Sequence, residues 1–309
     1  MRASRVTLVL VLAACALLIA AARTTASPVG LKVLVTGNAD VYLEQLATAL
    51  EAEHGIRTVT TFDTSTGTPA ASRLGAADIV VSLGGSYYQD PVAYGNRLAT
   101  YVDRGGVVLQ VAYDNWDETG ASPTGRFASG GYAPLTVGPN DNIATTLGQL
   151  VRPYNPLVQG LGTFANNDNT TTALAPGATL LATWADGRNA IAVKGRVVAT
   201  SASADEPSVA PVIARLTRNA GRYFPTTTIT IATVEARAGA AAFRFKAVGG
   251  SIGFVCGLAK VGKNVTFKSC PSYKTYTNLK PGRYTFEAAA VGLGGPDPTP
   301  AKKSFTIIR

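Results

Sequence analysis

The sequence predicts two folded domains of different class: an open, mainly parallel α/β sheet over residues 27–225 and an all-β sandwich over residues 226–309. Three observations carry this. Up to residue 224, short β-branched runs alternate with segments of helical periodicity, the pattern of a parallel sheet with helices on its faces. Beyond Pro225 the apolar period drops to two, with Gly and Pro between the runs. Charge changes at the same place: residues 27–225 carry 13 Lys+Arg against 16 Asp+Glu, whereas residues 226–309 carry 12 against 3. A length of 309 residues suits two domains, and 46% apolar with 15% charged residues excludes a disordered chain.

Residues 1–26 precede both domains. Met1-Arg2-Ala3-Ser4-Arg5 is cationic, residues 6–22 are almost continuously apolar, and small residues follow, so the segment reads as a secretory signal peptide cut between residues 23 and 27. Two other readings stand beside it. One is an uncleaved anchor helix, for which the run is at the lower limit of a bilayer span. The other is a lipobox at Leu12-Ala13-Ala14-Cys15, against which the chain stays apolar after Cys15. Export makes the protein secreted or cell-surface, with no transmembrane span once the signal is removed. It also leaves Cys256 and Cys270, 14 positions apart, as expected of one bridge in an oxidising compartment; two free buried thiols are the alternative.

The elements follow in order. Residues 31–36 form a first strand, and Val41, Leu43, Leu46, Ala49 and Leu50 recur at helical spacing before a stop at Gly55. Residues 57–62 make a second strand and 76–83 a third, apolar enough to be central. Tyr94, Leu98, Tyr101 and Val102 define a second helix face, Gly105-Gly106 ends it, and 107–112 begin a fourth strand. Residues 113–175 are rich in Gly, Pro, Asn and Thr and read as elaborate loops with one or two helical turns. Strands return at 179–184, 190–194 and 196–200, a helix spans about 209–223, and 224–228 reads as a linker. Five strands at 228–232, 241–247, 253–258, 282–290 and 303–308 then make the sandwich.

Two family resemblances rest on particular residues. Asp78-Ile79-Val80-Val81 with its Gly84-Gly85 turn, the helix-to-strand junction at 98–108, Gly125-Arg126-Phe127, and Gly131-Tyr132-x-Pro134-Leu135 are similar to the flavodoxin-like class I glutamine-amidotransferase fold, especially secreted trehalose-utilisation-type relatives. The spaced residues Phe254, Cys256 and Leu258, then Cys270, Tyr276, Leu279, Gly282, Tyr284 and Phe286, and Pro298-x-Pro300 resemble immunoglobulin-like or fibronectin-III-like repeats. The second resemblance implies a Cys256–Cys270 bridge and a spacer or adhesive role.

The first implies a Cys nucleophile in a sharp turn after a strand, with a His and an acid. The matching turn reads Val111-Ala112-Tyr113-Asp114-Asn115-Trp116, with neither Cys nor Ser. The single His, His54, reads as a helix-end residue favoured by the macrodipole. Acyl transfer needs a nucleophile within reach of a base, so the amidotransferase reaction is excluded. No zinc set, metal site, cofactor or nucleotide fingerprint is expected. Nucleic acid conflicts with export, and alternating Tyr and Phe read as core.

Ligands of an open parallel sheet sit beyond the carboxyl ends of its strands. Those ends offer Asn38, Asp40, Ser86, Tyr87, Asp114, Asn115, Trp116 and Asp205 as binding residues, side chains suited to a carbohydrate or peptide ligand. The expectation is therefore a secreted, non-catalytic binding or scaffold protein whose basic sandwich attaches to an anionic cell-envelope polymer. The rival is a carbohydrate-active hydrolase or isomerase pairing Asp114 with Asp117, Glu118 or Asp205, since paired carboxylates need no His.

Overall fold

A computed structural model describes residues 30–85 and 87–308. The candidate signal, Cys15 and Ser86 lie outside the described residues. The chain begins with β1 (Leu31–Gly37), α1 (Val41–Ala52), β2 (Ile56–Asp63), α2 (Ala71–Gly75), β3 (Ile79–Gly84), α3 (Pro91–Asp103) and β4 (Val107–Gln110). A tight helical turn at Ala112–Asn115 and the short α4 (Gly125–Ser129) lead to β5 (Thr145–Leu150) and β6 (Ala165–Asn166). Then come β7 (Thr179–Trp184), β8 (Asn189–Lys194), β9 (Val197–Thr200) and α5 (Ala210–Tyr223).

These strands form one nine-stranded sheet in the order β2-β1-β3-β4-β9-β8-β7-β5-β6. The pairings from β2 through β9 are parallel, and those from β9 to β6 are antiparallel. The sheet is thus mixed rather than mainly parallel. The reason is local: Lys194-Gly195-Arg196, with Gly195 at φ 55°, turns β8 straight back into β9, and a tight hairpin can only join antiparallel strands.

Period-two alternation explains why the apolar runs are continuous. Val33, Val35, Ile79, Val81, Val107 and Leu109 face one helical layer, α1 and α5, while Leu34, Val80 and Val108 face the other, built on α2, α3 and α4. Strands covered on both sides must be apolar on both. In α1, Asp40 accepts from the backbone N–H of Tyr42 and Leu43, both at 3.0 Å, a cap worth about 1 kcal/mol. Leu43, Leu46 and Leu50 form its buried stripe, and Gly55, at φ 99°, starts the turn into β2. His54 directly follows the C-cap residue Glu53 and is exposed.

β5 and β6 were not legible in the irregular stretch. β5 is only partly buried, and its Gly148 lies where an added Cβ would meet the Trp184 carbonyl oxygen at 2.6 Å, so close backbone approach holds it to β7.

The all-β region comprises β10 (Thr226–Glu235), β11 (Ala240–Val248), β12 (Gly253–Lys260), β13 (Lys268–Cys270), β14 (Tyr273–Tyr276), β15 (Gly282–Gly292), β16 (Gly295–Pro296) and β17 (Ala301–Ile307). They form two antiparallel sheets: β10-β11-β14, and β13-β12-β15-β16 with β17 also on β15. Phe243 and Phe245 from the first sheet meet Phe286 from the second, with the Phe243 and Phe286 rings stacked at 4.1 Å. Cys256 of β12 and Cys270 of β13 are bonded, their Cα atoms 6.0 Å apart, within the range a disulfide spans.

The stretch read as a linker is packed. Phe224 and Pro225 are buried and β10 begins at Thr226. The Arg196 guanidinium donates to the Phe224 carbonyl at 3.1 Å and lies 5.2 Å from the centre of its ring. Gly292 has no Cβ because one would sit 2.2 Å from the Pro225 ring.

Candidate functional site

The strand order reverses between β1 and β3, and the crevice at their carboxyl ends is where ligands of such sheets bind. Four chain segments converge there. Asn38 follows β1, half-buried, its Oδ1 without a partner among the described residues. Gly84 and Gly85 end β3 with φ of 70° and 136°, and a Cβ on Gly84 would lie 2.8 Å from that of Tyr113. The turn 112–115 follows β4, anchored by Val111 N–H to the Ser82 carbonyl at 3.0 Å and Ala112 N–H to the Ala202 carbonyl at 3.0 Å. Residues 203–206 follow β9.

Adjacent residues of that turn face different surroundings. Asp114 enters a buried hydroxyl network: Tyr88 donates to its Oδ1, the Ser82 hydroxyl lies 3.2 Å from that of Tyr88 and 2.8 Å from that of Tyr94, and Thr36 is 2.6 Å from Tyr94. Burial pushes the Asp114 carboxyl up to about 7, against the opposing effect of the hydrogen bonds from Ser82 and Tyr88. Burial likewise raises Tyr88 and Tyr94, and the nearby Asp114 charge adds to it. The second carboxyl oxygen of Asp114 has no hydrogen-bond partner among the described residues.

Tyr113, by contrast, donates to Oδ2 of Asp168, whose carboxyl acts in turn on that of Asp205. Burial first, then Asp168, raises the Asp205 carboxyl to about 6, while Ser203 lowers it. A neighbouring carboxyl disfavours ionisation, so Asp205 keeps its proton well above the usual carboxylate range. Glu206 accepts from the backbone N–H of Asn167 and from Asn166 at 3.3 Å, which fixes the loop carrying Asp168.

The other expected residues are placed as follows. Asp40 serves as the α1 cap, with Oδ1 accepting both N–H bonds. Tyr87 is 51% exposed near Gly120. Asn115 is buried and donates to the Thr200 carbonyl at 3.4 Å. Trp116 is half-buried, its ring 6.1 Å from that of Tyr113. Asp117 and Glu118 are exposed, Asp114 is bonded to Tyr88, and Asp205 is influenced by Asp168. Sequence reading missed Asp168 because it lies in the irregular stretch. It also missed Thr36 and Ser82, whose one signal was a hydroxyl near the carboxyl end of an otherwise apolar strand, and Tyr94, which reads only as a helix-face residue. No group of three His, Cys, Asp or Glu placed to hold a metal ion occurs among the described residues.

No family model and no curated protein matches this chain. Among solved structures it is similar to a putative ThuA-like protein from Bacteroides uniformis, at 9% identity over 62% of this chain and 91% of that one, TM-score 0.47. It is also similar to a cytoplasmic protein from Salmonella typhimurium, at 15% identity over 60% and 98%, TM-score 0.46. A third is a glutamine amidotransferase from Thermotoga maritima, at 14% identity over 56% and 75%, TM-score 0.39.

Proposed function

We propose that the chain is an exported, non-catalytic binding protein of the cell surface. In this reading a flavodoxin-like, amidotransferase-like domain binds a carbohydrate or peptide, and an immunoglobulin-like, disulfide-bridged sandwich attaches to anionic envelope polymer. The observation that carries it is the turn after β4. Where acyl transfer would need an exposed nucleophile, the turn holds Asp114 at 2% exposure, bonded to Tyr88. The attachment reading rests on Lys260, Lys263, Lys268, Lys280, Arg283 and Lys303, all exposed. Exposed charges act over about 8 Å at physiological salt. Full-length protein should therefore sediment with cell envelopes at low salt and be released by sodium chloride, and replacing these six with Gln should abolish retention. Retention indifferent to salt would sink the attachment.

The rival hydrolase is favoured by one observation, an Asp205 carboxyl raised by burial and by Asp168. A carboxyl whose proton is retained because of a second carboxyl suits a pair that activates water. A screen of glycans and peptides separates the readings. Saturable binding without turnover supports the binding protein, and turnover abolished by Asp205→Asn overturns it.

A further inference from the structure

A cavity whose lining includes Asp114 but not Asp168 opens beside the turn. It is a cleft of ≈ 280 Å³ between the end of β4 and the chain around α4. At its deep end lie Gln110 and Asp114, each 2% exposed, and each leaves one side-chain oxygen without a partner among the described residues: Gln110 Oε1 and Asp114 Oδ2. Buried acceptors left bare cost free energy that a ligand's donors would regain. The walls are apolar, from Phe127 and Leu135. At the mouth stand Val137, 54% exposed, and Lys194, whose Nζ lies 3.4 Å from where a Gly131 Cβ would be. Lys194 forms no ion pair among the described residues.

The order along the cleft is therefore two oxygen acceptors, one of them a carboxyl, then an apolar chamber, then a cation. From this geometry we infer that the cleft takes a free amino acid with an apolar side chain, its ammonium group on Asp114 and Gln110 and its carboxylate toward Lys194. Size suits a small occupant, since the volume of ≈ 280 Å³ lies just below the roughly 300–1,000 Å³ of drug-sized small-molecule sites. Charge agrees too. An ammonium supplies the donors that both bare oxygens lack and neutralises a carboxylate that burial otherwise disfavours, while a simple amine would leave Lys194 unanswered. The inference rests on the binding reading and adds the occupant and its orientation.

Calorimetric titration of the full-length protein at pH 8 with leucine, leucinamide and N-acetyl-leucine tests it. Leucine should bind one to one, N-acetyl-leucine at least tenfold more weakly, and leucinamide more weakly than leucine. Lys194→Met should erase the advantage of leucine over leucinamide, and Asp114→Asn should weaken leucine at least tenfold. Should that buried substitution unfold the protein, Val137→Trp at the exposed mouth should block leucine instead. N-acetyl-leucine binding as tightly as leucine, or a leucine-to-leucinamide ratio unchanged in Lys194→Met, overturns the inference. If leucine fails to bind while a glycan or peptide binds, this assignment falls and the binding reading stands. Turnover lost in Asp205→Asn, with no saturable binding of any of these probes, defeats both.

Discussion

The Tyr88 hydroxyl donates to Oδ1 of Asp114, and both side chains are almost wholly buried, at 6% and 2% exposure. A carboxyl so placed is easier to fold protonated than charged. Its folded value of about 7 lies above the ordinary 3.8, so between about pH 4 and pH 7 the unfolded chain has released a proton that the folded chain still holds.

The sign follows. The penalty for Asp114 is absent below the unfolded value, grows as pH rises through the window, and is complete above about 7. Stability should fall by on the order of 1 kcal/mol per pH unit across that window from this group. Urea denaturation at pH 4 through 8 should show Asp114→Asn flattening the decline and gaining on the wild type as pH rises. A parallel pair of curves would refute the assignment.

Asp205 offers a second titration. Burial is the larger cause of its raised value and Asp168 the next, so Asp168→Asn should lower the Asp205 titration from about 6 without restoring it to 3.8. Carbon-detected NMR titration of the side-chain carboxyls reads this directly. An Asp205 midpoint untouched by the substitution would mean that Asp168 does not act on it.

The packed junction predicts resistance to proteolysis at 224–226. Arg196 holds the Phe224 carbonyl, so Arg196→Met should destabilise the protein by roughly 1.5–3 kcal/mol, as for a lost charged hydrogen bond. Thermolysin should leave wild-type protein uncut there and cleave the variant. Equal, rapid cutting of both would show the junction to be open.

The Cys256–Cys270 bond, 14 positions apart, closes a short loop, and such a bond restricts the unfolded chain by about 3 kcal/mol. Thermal denaturation with and without reductant should show a drop of that order. Unchanged stability, or two free thiols on alkylation without reductant, would remove the bridge.

The parallel half of the sheet was legible because burial on both faces demands the uninterrupted apolar runs at Ile79–Gly84 and Val107–Gln110. The all-β region was legible through alternation, as in Ala240–Val248, where Phe243 and Phe245 point inward and Arg244 and Lys246 outward. β5 was not, because a half-buried strand containing Gly148 has neither pattern. The site divides the same way. Asp114, Asn115, Trp116 and Asp205 were singled out from their places at strand ends, whereas Asp168 follows the two-residue β6, too short to read from sequence, on the loop that Glu206 ties down.

By itself, then, the sequence determined the two classes of domain, the boundary in charge, the cysteine pair, and the turn after β4 without Cys or Ser, because periodicity, composition and residue identity are local properties. Tertiary structure decided the partners. That Tyr113 meets Asp168 while its neighbour Asp114 lies under Tyr88, that burial and Asp168 raise Asp205, and that Pro225 is a packed joint are consequences of contacts between residues far apart in the chain. Burial and hydrogen bonding set the charge state of a carboxyl, and both are properties of the assembled fold rather than of any stretch of the chain.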